Sequence, residues 1–177
     1  MPLQQHRIAH RTLRSRPWGA PTGSRRDRRN RRQTGCVATR GFVSHLDLNV
    51  AEPVASARFY ELVLGHLGYR QHPIDEGRSR WTLEYADGAL FEIEVRPPAV
   101  PSGSDRHERY EPGVDHLAFH ADSRSDVDAL YQKLIAAGHP VAEPPREYEY
   151  TPGYYAVAFD DPSGIRLEVV HDPTTNP

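Results

Sequence analysis

The residues of this chain that could do chemistry recur on one face of four strand-like stretches. Ser44 to Val50 alternates, with Leu46, Leu48 and Val50 on one face and His45, Asp47 and Asn49 on the other. In Leu90 to Val95, Phe91, Ile93 and Val95 oppose Leu90, Glu92 and Glu94. Further on, Leu117 and Phe119 oppose His116, Ala118 and His120, and Ile165, Leu167 and Val169 oppose Arg166, Glu168 and Val170. One face of each strand suits a covering helix. The other would ordinarily meet water with Lys, Thr, Ser and Arg, yet it carries His and Glu. If those faces curve around a shared space, two imidazoles and two carboxylates meet there, a donor set for a divalent transition metal, with Zn, Ni, Co, Mn and Fe all open. Six-coordination by four protein ligands would leave two cis positions for adjacent oxygens of a small-molecule substrate.

The elements that must position these residues form a repeat. Laid on itself with a shift of 71 residues, the chain brings His45 onto His116. A helix-period segment follows each of these strands, burying Ala55, Phe59, Leu62 and Val63 in the first copy and Val127, Leu130, Tyr131, Leu134 and Ile135 in the second. Gly65 and Gly138 read as the helix ends. Each copy continues with strands: Arg80 to Tyr85, an Asp87-Gly88 turn and Leu90 to Val95, then Tyr154 to Phe159, a turn at Asp161-Pro162-Ser163-Gly164 and Ile165 to Val170. The expected architecture is α+β, two modules over about residues 42–96 and 114–172, joined by a long Pro- and Gly-rich connection.

Charge separates a tail from this region. The chain has 177 residues and a net charge of -2, but residues 1–40 hold eleven Arg against Asp27 alone. Their +10 leaves -12 for the rest, which disfavours nucleic acid as a partner. No apolar run approaches the roughly 18 residues of a membrane helix. The lone Cys36 and the lack of an apolar signal region fit a reducing, cytoplasmic setting. Residues 1–40 show no apolar period and read as a disordered basic extension. Contact with nucleic acid, a transit peptide and a dispensable extension are the three readings of its Arg run, and the last is adopted; residues 41–173 form the folded domain.

Phe59-Tyr60 with Leu64-Gly65, Gly113-Val114-Asp115-His116, and Asp161-Pro162-Ser163-Gly164 leading into Leu167-Glu168 carry a resemblance. In their order and spacing the chain resembles the vicinal oxygen chelate superfamily of glyoxalases, bleomycin-resistance proteins and extradiol dioxygenases, over about residues 42–172. The resemblance implies a pair of βαβββ modules making a cupped mixed sheet around one divalent metal. Its ligands would be His45, Glu92, His116 and Glu168. A carboxylate at Glu92 points to the glyoxalase-like branch, and hence to a lactoylglutathione-lyase-type isomerase or lyase working through an enediolate. Glu168 would be the base that removes the substrate proton, with Glu92 its pseudo-symmetric alternative, and the resemblance also implies a homodimer.

Departures narrow this. The family's Arg and Asn for glutathione fall here on Asn49 and Arg96, so glutathione is not carried over. The catalytic Tyr of extradiol dioxygenases falls on Ala158. A metal-free drug-binding protein of the bleomycin-resistance type, a metal-dependent thiol transferase and a dioxygenase are the alternatives. Asp47, Asn49, His120, Tyr154 and Arg166 are candidate substrate contacts, Arg166 having Glu94 as an alternative partner. Tyr148, Tyr150, Tyr154 and Tyr155 could wall the site.

Overall fold

The computed structural model describes residues 41, 43–75, 77–85, 88–99 and 106–175. The basic stretch 1–40, expected to be disordered, lies outside them, as does Asp87 of the anticipated turn. The described residues build two βαβββ modules. The first comprises β1 (His45–Asn49), α1 (Pro53–His66), β2 (Arg70–Asp75), β3 (Arg78–Glu84) and β4 (Leu90–Arg96). The second comprises β5 (Leu117–His120), α2 (Arg124–Ala136), β6 (Val141–Glu147), β7 (Tyr155–Asp160) and β8 (Arg166–His171). Each makes a mixed four-stranded sheet of corresponding order, β1-β4-β3-β2 and β5-β8-β7-β6. The first strand of each module pairs in parallel with the last, as β1 with β4 and β5 with β8, because a helical crossover brings the chain back in the same direction. Among the described residues no strand of one sheet pairs with a strand of the other, so one chain holds two sheets and not one cupped sheet.

The helices lie on the apolar sheet faces, and they also touch each other. α1 buries Ser56, Phe59, Tyr60, Val63 and Leu64, a face rotated from the expected one: Ala55 is exposed and Leu62 only partly covered. The periodicity of α1 alone does not reveal that it contacts the second module too. Phe59 meets Phe159 of β7 at 5.9 Å between ring centroids, and the Tyr60 hydroxyl donates to Asp161 Oδ2 at 3.0 Å. Ser163 adds a second tie, its Oγ accepting from Ala51 N at 3.0 Å. α2 buries Val127, Leu130 and Leu134 as expected, while Ile135 is half-exposed. Leu48, Trp81, Ile93 and Val95 from one sheet and Val157, Leu167 and Val169 from the other join a single continuous core.

Local chemistry explains the element ends. Ser123 caps α2, its Oγ accepting from Asp126 N and donating to Asp126 Oδ2, which satisfies an otherwise orphaned N–H of the first turn. Gly65 proves to lie inside α1. The left-handed residue is Gly68, at φ 87°, where Gly68 N bonds Gly65 O and Tyr69 N bonds Leu64 O to close the helix. β6 contains Pro144 and Pro145 and carries no strand signal, yet it is an edge strand whose register shifts between Glu143 and Arg146, and edges and bulges are where a sheet tolerates proline.

Candidate active site

The four residues of the candidate chelate fall into two half-sites. His45 and Glu92 face each other across the parallel pair β1/β4, in a cavity of about 250 Å³ shared with Asp47, Arg78, Arg80, Glu94 and Arg96. His116 and Glu168 share a second cavity, of about 240 Å³, with Arg109, Glu143, Tyr148, Tyr150, Tyr154, Ala158 and Arg166. Neither cavity is lined by a helix residue; the first is built from its module alone, and the second adds only Arg109 of the connection. A larger cavity of about 450 Å³ lies between the start of α1 and the β2/β3 hairpin, away from all four residues. Among the described residues no group of three or more His, Cys, Asp or Glu side chains converges within one chain.

In the second half-site His116 immediately precedes β5 and its Nδ1 lies 2.6 Å from Asp115 Oδ1. A carboxylate oxygen can only accept, so Nδ1 is the donor, and Nε2 is the ring nitrogen without a hydrogen-bond partner among the described residues. Asp115 is held in turn by the Nε and Nη2 of Arg109, at 3.2 and 3.0 Å, and the bonds from His116 and Arg109 keep its carboxyl below its ordinary pKa. Glu168 takes a hydrogen bond from the Tyr154 hydroxyl on Oε1. Burial first, then this bond to a carboxylate, raises the Tyr154 pKa, so the phenol stays a donor. Tyr148 and Tyr150 stack at 5.7 Å with 6° between their planes, and Tyr154 stands edge-on to both. Tyr148 donates to Glu143, which Arg146 also binds, and these two bonds lower the Glu143 pKa.

The first half-site is denser in charge. Arg78 binds Glu94 Oε1 through Nε and Nη2 at 3.1 and 2.6 Å, and Arg80 Nη2 reaches Glu94 Oε2 at 3.2 Å. Burial alone would raise the Glu94 pKa, but the two guanidinium groups outweigh it and the net shift is downward. Arg96 pairs with Asp47 at 2.8 Å, while Arg80 approaches Glu92 only to 3.8 Å.

Register adds a distinction that sequence parity could not. His45 is opposite Glu92, but in the second module Ala118 is opposite Glu168, which puts His116 level with Arg166. With β1 laid on β5, the register therefore makes Glu94 the counterpart of Glu168 and Glu92 the counterpart of Arg166. Glu94 was visible on the polar face, but strand alternation cannot choose between residues two apart. Arg109, Glu143 and Asp115 were missed because they come from a loop and from β6, neither of which has a readable pattern.

The remaining candidates divide. Asp47 lines the first cavity, and Tyr154 and Arg166 line the second. Asn49 and His120 line neither; both are exposed strand ends. Tyr155 is turned to the helix side, its hydroxyl on Asp128 of α2, so the aromatic wall consists of Tyr148, Tyr150 and Tyr154. Arg166 pairs with Asp160 and not with Glu94.

Two βαβββ modules with a His and a Glu on the open face of each sheet define a class of protein, and residues 42–169 match the family described as the Glyoxalase/Bleomycin resistance protein/Dioxygenase superfamily. The chain belongs to this family. It is 32% identical over 127 residues, 71% of its length and 95% of the relative's, to the uncharacterized protein YqjT of Bacillus subtilis (strain 168). Among solved structures, a putative glyoxalase from Bacillus halodurans has a TM-score of 0.63 and 28% identity over 76% of this chain and 98% of that one. A glyoxylase/bleomycin resistance protein/dioxygenase domain from Frankia sp. EAN1pec has a TM-score of 0.54 and 27% identity over 73% and 95%.

Proposed function

We propose that the protein is a metal-dependent isomerase or lyase of glyoxalase type, acting on a small molecule with adjacent oxygens, and that two chains in a homodimer build each site. The carrying observation is the division of the donors: each half-site offers one imidazole and one carboxylate, and the two half-sites occupy separate cavities of one chain. The donors suit a divalent transition metal such as Zn, Ni, Co, Mn or Fe. Nε2 of His116 is left for the cavity by the bond at Nδ1, and Tyr154 occupies only one oxygen of Glu168. Glu92 is preferred to Glu94 because both oxygens of Glu94 are held by arginines. β1 and β5 are edge strands, so the β1 edge of one chain can meet the β5 edge of another, bringing their histidines together in a shared cup.

When bound, such a metal supplies Lewis-acid polarisation of a substrate oxygen. The chain's own residues do the rest. Glu168 takes the proton from the carbon beside that oxygen and returns it to the adjacent carbon, a general acid–base role typically contributing about 10²–10⁴-fold. Tyr154 keeps Glu168 aimed while it does so, and Asp115 keeps His116 in the required tautomer.

A second reading is favoured by one feature: the wall of Tyr148, Tyr150 and Tyr154 is a surface on which a planar drug could rest without metal chemistry, as in bleomycin-type sequestration. Metal content and mass in solution separate the two. The enzyme reading expects a dimer with about one metal per chain, lost in His116→Ala and Glu168→Gln, and turnover of hemithioacetals or 2-oxo thioesters. A monomer that cannot be loaded with Ni²⁺, Co²⁺, Zn²⁺, Mn²⁺ or Fe²⁺ would leave the binding reading.

A further inference from the structure

Arg166 is mostly covered, its side chain only 15% exposed, and it forms part of the second cavity. Asp160 engages its Nε alone, and among the described residues its two terminal NH₂ groups have no acceptor. Four N–H donors of the guanidinium are thus left to the cavity and its solvent. The planar fork they form matches the two oxygens of a carboxylate. Neither of the cavity's own carboxylates closes on this fork: Glu143 takes Arg146 and Tyr148 on Oε2 and Glu168 takes Tyr154 on Oε1, and Arg166 acts on Glu143 only through its charge. Register sets Arg166 beside His116, where the first module has Glu92, so the charge reversal is a property of this half-site alone.

The rest of the cavity describes the body of the ligand. Glu168 stands between Ala118 and Ala158 across the sheet, two methyl side chains that leave open space around its carboxylate. Tyr148 is covered by the stacked Tyr150 and by the Arg146 guanidinium 4.0 Å from its ring centroid, which leaves Tyr150, 72% exposed, to present a ring face beside Tyr154. Ring faces favour a planar unsaturated partner. This half-site alone offers about 240 Å³, so the part of the ligand it holds is smaller than the roughly 300–1,000 Å³ of a drug-sized molecule.

We infer that the substrate is a small carboxylic acid with a planar, unsaturated body, its carboxylate held in the fork of Arg166 and its body against Tyr150 and Tyr154. The inference rests on the reading of this cavity as a substrate site and narrows it to one chemical class.

The test is calorimetric titration of the metal-free full-length protein with phenylglyoxylate and with its methyl ester, for wild type, Arg166→Gln and Arg166→Lys. The acid should bind wild type at least about 10-fold more tightly than the ester, the preference expected of hydrogen bonds to a charged group. Arg166→Gln should remove that preference while ester binding persists, which also reports an intact cavity. Should Arg166→Gln fail to fold, Arg166→Lys decides: it keeps a cation beside Asp160 but lacks the planar fork, so the preference should shrink. Equal binding of acid and ester by wild type, or an undiminished preference in both variants, overturns the inference. Nickel content measured on parallel samples reloaded with Ni²⁺ keeps the two readings apart. Metal binding without acid preference sinks this inference alone, and acid preference without metal sinks the chelate alone.

Discussion

Replacing Tyr60 by Phe removes one oxygen from the joint between the modules. That hydroxyl is fully buried and donates at 3.0 Å to Oδ2 of Asp161, itself 3% exposed. The other oxygen, Oδ1, accepts from Ser163 N and Ile165 N, both at 2.8 Å, so these bonds survive while Oδ2 is orphaned. A hydrogen bond to a buried charge contributes about 1.5–3 kcal/mol, and the deleted atom leaves almost no void, so a loss of about 2 kcal/mol at pH 7 is expected. With a urea slope of about 1–3 kcal/mol/M, the midpoint should fall by about 1 M. Dependence on pH gives the sharper check. Burial raises the Asp161 pKa, against the pull of the bonds from Ile165, Tyr60 and Ser163. A folded carboxyl above its unfolded value contributes stability that is full below the unfolded pKa and is lost as pH rises through the folded one. Tyr60→Phe deletes an opposing bond and raises that pKa further, so its cost should be largest at neutral pH and should shrink as Asp161 protonates. Urea titrations at fixed protein concentration at pH 7 and near pH 4 would refute the reasoning if the midpoint shift were below a few tenths molar, or equal at both.

Asp115→Ala should leave His116 free to adopt either tautomer and weaken metal binding about 10–100-fold, read by competition with a chromophoric chelator, with little change in thermal stability. Glu94→Gln should destabilise the fold and flatten its acid limb. The Glu94 pKa is lowered in the folded state, so its contribution is present above the ordinary carboxylate value and is lost as pH falls through the folded one. Thermal melts from pH 7 to pH 3 check this: a variant as acid-sensitive as wild type would remove Glu94 from the account.

The repeat, the strand faces and α2 were legible because each has a period of its own. Leu46, Leu48 and Val50 mark β1, and Val127, Leu130 and Leu134 mark α2, without reference to anything distant. α1 was read a fraction of a turn out because its burial is set by two modules, and Tyr60 reads as an ordinary helix residue until Asp161 is seen beneath it. β6 was unreadable because Pro144 and Pro145 mimic a loop. At the site, side-chain type and parity put His45, Glu92, Glu94, His116 and Glu168 on the polar faces, and only the family resemblance singled out Glu92 from Glu94 as a candidate ligand. What parity lacks is register and sheet partnership: neither the equivalence of Glu94 with Glu168 nor the confinement of each His and Glu pair to its own module is encoded in alternation.

The central claim is a metal site made by the first module of one chain and the second module of its partner. Mixing His45→Ala with His116→Ala under conditions of subunit exchange tests it directly. Each variant alone lacks one half of every site and should hold no tightly bound metal. A mixed dimer brings the intact first module of His116→Ala against the intact second module of His45→Ala, restoring one site of two. An equimolar, fully exchanged mixture should therefore recover about one quarter of the wild-type metal content, and activity in proportion. No recovery from a mixture in which mixed dimers are demonstrated by mass spectrometry would contradict the shared site.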